Sequence, residues 1–148
     1  MANLDNFIKN WRRIHKQTRK ILVLTPNDKY DWKPAETSMP LGELANHFSV
    51  AEWGLAEAVF TGKFPTDRPE PHKSTDELVA AFDKTHDELV AKVRAMTPEQ
   101  LDEEVAFGPD HKMTRMALLN IMTEHEIHHR GQLYVYLRIL GCELPSLF

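Results

Sequence analysis

Apolar residues recur along this chain every three to four positions, in blocks separated by proline-rich stretches. That is the pattern of amphipathic helices joined by long connectors. The first block predicts a helix over residues 3–24: Leu4, Phe7, Ile8, Trp11, Ile14, Thr18, Ile21 and Leu22 share one face, and lysine and arginine fill the other. Thr25-Pro26-Asn27-Asp28 ends it. Pro26, Pro34 and Pro40 exclude a helix interior up to residue 40, so this is a loop, with Tyr30 and Trp32 as its packing anchors. A second helix is predicted over 40–61, with Ser38 as a candidate cap and Pro40 in the first turn. Its apolar arc is Leu41, Leu44, Ala45, Phe48, Ala51, Leu55 and Val59; His47 lies at the edge and Gly62 is a stop.

Residues 62–73 carry Pro65, Pro69 and Pro71 and no periodicity, so they form a connector. Helix three starts at a Ser74 or Thr75 cap and runs to about Met96, with Leu78, Phe82, Thr85, Leu89, Val93 and Met96 as its stripe. Thr97-Pro98-Glu99-Gln100 reads as the cap and first turn of a short extra helix, and residues 105–113 as a small hairpin or an irregular loop. Helix four spans 114–140, with Gly141 and Pro145 as stop signals. Four long amphipathic helices without a convincing sheet predict an all-α four-helix bundle, one domain over residues 1–148. A 22-residue helix is about 33 Å long, and a 12-residue extended connector reaches about 40 Å. Helices two and three are therefore free to run parallel, and periodicity leaves the up-and-down order open.

Composition narrows the function classes. A net charge of −4 with scattered basic residues gives no footprint for nucleic acid or an anionic membrane. No apolar run is long enough to span a bilayer, and the start lacks the basic-then-apolar order of a signal peptide. Cys142 is the only cysteine, which excludes an internal disulfide and fits a cytoplasmic location. With eight histidines against that one cysteine, a bound metal would be held by nitrogen and carboxylate.

The candidate chemistry lies in Glu124-His125-Glu126-Ile127-His128-His129-Arg130-Gly131-Gln132. His125 and His129 are four residues apart, about 40° round a helix, in the middle of the core-facing arc. Two imidazoles there need partners, which are either a shared metal ion or separate hydrogen bonds to neighbours or water. His47 is the best-placed third ligand. His15 and His86 are rivals, His15 placed at the rim by Arg12, Lys16 and Arg19, and His86 expected to be hydrogen-bonded or half-exposed among Asp83, Asp87 and Glu88. His72 and His111 fall in loops, and His128 points about 100° away from His129. His125-Glu126-Ile127-His128-His129 also matches H-E-x-x-H, in which the glutamate is the general base of a zinc protease. The context opposes that metallohydrolase reading: downstream of His129 only Glu143 remains as an acidic or histidine ligand, and no sheet edge is evident for a peptide.

The segment Glu124–Gly141, with its H-x-x-H-H-R-G-Q pattern, resembles the signature of the DinB/YfiT-like superfamily. Trp11-Arg12-Arg13 and Leu41-Gly42-Glu43-Leu44-Ala45-Asn46-His47, after Asp31-Trp32-Lys33-Pro34, agree in order along nearly the whole chain. The resemblance implies an up-down-down-up bundle and a divalent metal ion, nickel or zinc, on His47, His125 and His129 with water in the open positions. It also implies an S-transferase activating a low-molecular-weight thiol of the bacillithiol, mycothiol or glutathione type. The alternative is a non-catalytic stress-induced or ligand-binding metalloprotein. Two positions depart from the family pattern: Glu124 stands where asparagine is frequent, and Glu126 where small polar residues are.

Gln132, about 20° from His125 on the wheel, is a candidate to hydrogen-bond a metal-bound water, and Glu126 and His128 are further candidates beside the ligands. Gly131 in mid-helix costs up to about 1 kcal/mol relative to alanine, which points to close packing. With Ile127 and Tyr134 it lines a second apolar strip, opposite the metal face, that either an extra segment of the chain or a second subunit would cover; a homodimer is the expectation. Trp32, Tyr30, Trp53 and Phe60 read as packing anchors, and Cys142 as a small hydrophobe without a placed base.

Overall fold

The predicted stripes fold as helices in the computed structural model, which describes residues 2–148. The long helices are α1 (Ala2–Leu22), α2 (Leu41–Thr61), α3 (Thr75–Arg94) and α5 (Arg115–Ile139). Between the last two lie a short helix α4 (Pro98–Asp102) and an antiparallel hairpin of β1 (Glu104–Ala106) and β2 (Lys112–Thr114), in which Val105 faces Met113. The hairpin alternative for residues 105–113 is thus the one adopted.

Local chemistry explains most of the boundaries. The Ser74 hydroxyl accepts the Glu77 N–H, and the Thr114 hydroxyl accepts that of Ala117. Thr97 and Gln100 form a reciprocal capping box around Pro98. Gly62, at φ 78°, closes α2 in the left-handed region. The start of α2 differs from expectation, because Ser38 caps nothing. The free amides of Leu41 and Gly42 donate to the loop carbonyls of Trp32 and Tyr30 instead, at 2.8 and 2.9 Å. The loop itself does the capping, and Tyr30 is pinned by its hydroxyl 2.9 Å from Thr75 Oγ1.

Two apolar clusters reveal the helix directions. One joins Leu4, Phe7, Ile8 and Trp11 to Ala56 and Val59, Leu89 and Val93, and Leu118 and Met122. The other joins Ile21 and Leu22 to Leu41, Leu44 and Phe48, Leu78 and Phe82, and Leu133 and Leu137. The beginnings of α1 and α5 therefore share one end of the bundle with the ends of α2 and α3. The order is up-down-down-up, with the 62–73 connector running back along the bundle to start α3 beside α2. Each of α1 and α2 packs against both α3 and α5. Among the described residues no helix is long and apolar enough to cross a membrane.

Along α2 the buried arc drifts from the predicted one. Glu52 and Ala56 are buried, whereas Ala51 and Leu55 are only half-buried and turn toward a surface cleft. The end of α2 is tied down by Arg115, which donates to the carbonyls of Val59 and Phe60 and pairs with Glu103.

Candidate metal centre

His47 sits in the second turn of α2, and its position is set by the contacts around it. Gly42 packs so closely on Tyr30 that an added Cβ would lie 2.7–2.8 Å from that ring and its Cβ. Asn46 is buried and clamps the connector: its amide donates to the carbonyls of Gly42 and His72, and its side-chain oxygen accepts the His72 N–H. Across the α2–α5 interface stand His125 and His129, one turn apart. The His125 Nε2 lies 3.4 Å from His47 Nε2 and 3.0 Å from His129 Nε2. Three half-buried imidazoles thus aim the same ring nitrogen at one point, with potential ligand atoms all within 4.8 Å of one another.

The electronic state suits cation binding. Burial, then His129, His125 and Arg68, push the His47 pKa down to about 4, and burial with His129 and His128 lowers that of His125. Both are neutral at pH 7, with lone pairs available. Gln132 Oε1 lies 2.7 Å from His129 Nδ1; with that nitrogen as the N–H donor, the lone pair of His129 sits on Nε2, facing the other two rings. Metal–nitrogen bonds of about 2.0–2.1 Å place neighbouring ligand nitrogens about 3.0–3.4 Å apart. The residues present therefore fit a divalent ion.

Two clefts meet at His47. The first, about 600 Å³, is polar at its rim, with Asp31, Glu43, Asn46, Arg68, His72 and Lys73. The second, about 590 Å³, is mostly apolar, with Val50, Trp53, Phe64, Phe107 and Ile121, and it reaches His125. Both are shaped by the 62–73 connector, which Asn46 holds in place. Trp53, expected as a packing anchor, lines the second cleft.

The other candidates go elsewhere. His128 is exposed, its ring 4.9 Å from that of His129. Glu126 turns to the opposite side of α5, into the bundle beside Thr18, so its carboxyl does not line the cleft where a protease base would act. Glu124 is exposed, and Cys142 is half-buried against the second apolar cluster. His15 is buried and not at the rim: its aliphatic neighbours on α1 drag it inward, and Asp83 receives its Nε2 at 2.9 Å. His86 is hydrogen-bonded as expected, to Glu52 at 3.0 Å, but it is fully buried. Gly131 has no atom within 4 Å of where a Cβ would be, so close packing within the chain does not account for it. Part of the strip it shares with Tyr134 is covered by the chain's own end, where Tyr134 Oη donates to the Pro145 carbonyl, while Ile127, Val135 and Ile139 stay exposed. Sequence reasoning missed Glu52. Its signal was its spacing, because it continues the Leu41, Ala45, Phe48 series that runs on to Ala56 and Val59.

An all-α, up-down-down-up bundle with a histidine trio in a surface cleft defines the class. Residues 10–133 match the DinB superfamily, and the chain belongs to it. It is 36% identical to YjoA of Bacillus subtilis (strain 168), over 98% of this chain and 96% of that one. YrdA of the same organism is 28% identical, over 98% and 87%. The crystal structure of the DinB-like protein YjoA superimposes with a TM-score of 0.76 at 32% identity, over 96% of each chain. A DinB-like protein from Bacillus cereus ATCC 10987 shares the fold at a TM-score of 0.83 and 20% identity, over 97% of each chain.

Proposed function

We propose that this chain binds one divalent metal ion, nickel or zinc, through His47, His125 and His129, and acts as a metal-dependent S-transferase for a low-molecular-weight thiol. The carrying observation is the convergence of three imidazole nitrogens at the point where two clefts meet. A bound ion would supply Lewis acidity, holding a thiol as its thiolate at neutral pH. The chain's residues supply the rest. Gln132 orients His129. Arg68 and Lys73, which share the first cleft with Asp31 and Glu43, are its cationic partners for an anionic group on the thiol. Trp53, Phe64 and Phe107 give an apolar electrophile a surface that excludes water.

The test is metal analysis of the untagged protein together with thiol-transfer assays on His129→Ala. The expected result is stoichiometric nickel or zinc in the wild type, and loss of both metal and turnover in the variant with helicity retained. A wild type free of metal across several supplements refutes the site. A non-catalytic metalloprotein would give a different signature: bound metal, no turnover with any thiol, and a large loss of thermal stability on chelation.

A further inference from the structure

The net charge of the chain is −4, yet one cleft gathers cations and is lined by no acid. It runs along α1 against the segment that follows α5. Its volume is about 480 Å³, and Arg13, Lys16, Gln17, Arg19, Lys20 and Leu147 line it.

Helical spacing makes the ridge of charge. Arg13, Lys16 and Lys20 are three and four residues apart, so they leave one face of α1, and all three are exposed. Like charges at that spacing destabilise a helix. Arg19 is held by Asp83, with its Nε 2.9 Å from Oδ2. Among the described residues no carboxylate pairs with Arg13, Lys16 or Lys20.

Gln17 concentrates the charge further. It is 7% exposed. Its Oε1 accepts Arg13 Nη1 at 3.2 Å and Arg130 Nη1 at 2.8 Å, and its Nε2 donates to the Leu147 carbonyl at 2.7 Å. Two guanidinium groups, from α1 and α5, thus meet at one neutral oxygen. Asn10 Oδ1 steadies Arg13 from its other edge, accepting Nη2 at 2.8 Å and Nε at 3.3 Å. The second hydrogen on each Nη of Arg13 is left for a ligand. Arg130 is only 8% exposed and has no ion-pair partner among the described residues. Glu126, one turn earlier on α5, does not cancel it at pH 7, because burial and repulsion from Glu52 raise that carboxyl to about 8.

The unmet charge defines what fits. A carboxylate carries one charge and two oxygens in a plane, which suits a single guanidinium. Three unpaired cations round one cleft call for a tetrahedral oxyanion with two charges, and arginine and lysine are the side chains that take phosphate.

We infer that the α1 cleft binds a phosphate dianion, free or as the monoester of a small molecule, through Arg13, Lys16 and Lys20. Gln17 holds Arg13 in place, and Arg130 adds its charge at the same oxygen. The cleft shares no residue with either of the two that meet at His47, so the site stands apart from the histidine trio.

Isothermal titration calorimetry of the full-length protein, in a low-salt buffer free of phosphate, reads the binding of inorganic phosphate and, separately, of glycerol phosphate. A single anion per chain is expected, with affinity falling as sodium chloride screens the contacts. Lys16→Gln combined with Lys20→Gln should weaken binding about tenfold or more, with helical circular dichroism unchanged. Binding of inorganic phosphate alone makes the free ion the ligand, and binding of the ester alone makes it a phosphorylated small molecule; either supports the site. Failure of both to bind overturns it, as does an affinity that the two lysine substitutions leave unchanged. Succinate bound as tightly as phosphate overturns the assignment to a phosphate group, and a single-stranded oligonucleotide bound in preference to both small anions overturns the assignment to a small molecule.

Discussion

Two glycine-to-alanine substitutions on facing helices should move stability in opposite directions. Gly131 lies in the middle of α5 with an ordinary helical backbone, and nothing stands within 4 Å of the position a Cβ would take. Alanine there gains about 0.8–1 kcal/mol of helix propensity without a clash. With unfolding entropy of about 2.1 cal/mol/K per residue, 1 kcal/mol in a chain of this length raises Tm by about 3 °C. Gly42, in the first turn of α2, meets Tyr30 Cδ2, Cβ and Cγ at 2.7–2.8 Å. Because Tyr30 Cβ is fixed to the backbone, rotating the ring does not relieve the contact. Overpacking costs about 1–3 kcal/mol, and displacing Tyr30 also strains its 2.9 Å hydrogen bond to Thr75. The expected fall is therefore about 3–9 °C. Scanning calorimetry on the two variants, in the same buffer and with metal removed, reads both signs. A Tm for Gly42→Ala at or above the wild-type value would refute the packing argument. A fall for Gly131→Ala would refute the open-face argument and place a neighbour, such as a second copy of the chain, on that strip.

Gln132→Leu should leave helicity intact and weaken metal binding at the trio about 10–100-fold, measured by competition with a chromophoric chelator, because His129 loses the acceptor that orients it. Trp11→Phe removes the indole donor to Glu52 and should cost about 1–3 kcal/mol in urea unfolding. Asn46→Ala frees the 62–73 connector from α2 and should cost about as much; limited proteolysis should then cut within that connector first. The pH dependence has a definite sign. Burial raises Glu52 to about 8, with the Trp11 hydrogen bond opposing, and raises Glu126 to about 8, with repulsion from Glu52 adding. These two carboxyls make the folded chain bind more protons than the unfolded one between 4.5 and about 8; the histidines offset them below 6.5, so metal-free protein should lose stability as pH rises from 6.5 through about 8. His15, His47 and His86, each lowered by burial from 6.5 to about 4, act oppositely and outnumber the two carboxyls, so in metal-free protein stability should also fall as pH drops from 6.5 toward 4. Urea midpoints across the range should show both limbs, and Glu52→Gln should flatten the alkaline one.

The amino-acid pattern determined whatever depends on neighbours in the chain. Helix faces, the Ser74, Thr97 and Thr114 caps, the Gly62 stop and the one-turn spacing of His125 and His129 are set within a few residues by backbone geometry. Only the tertiary structure decided what lies across helices. That His47 meets His125 follows from the register in which α2 packs on α5, which the loop carbonyls of Tyr30 and Trp32 help set. The inward turn of Glu126, which takes it away from the cleft, follows from the phase of α5 against α1. His15 and His86 became a buried pair because four helices bring their middles together between two apolar clusters. A histidine among charged residues reads as a surface position until the opposite helix supplies Glu52 to receive it. The trio was half legible because two of its members share a turn. The interior cluster, with one residue per helix, has no local signature beyond an acid at a core position.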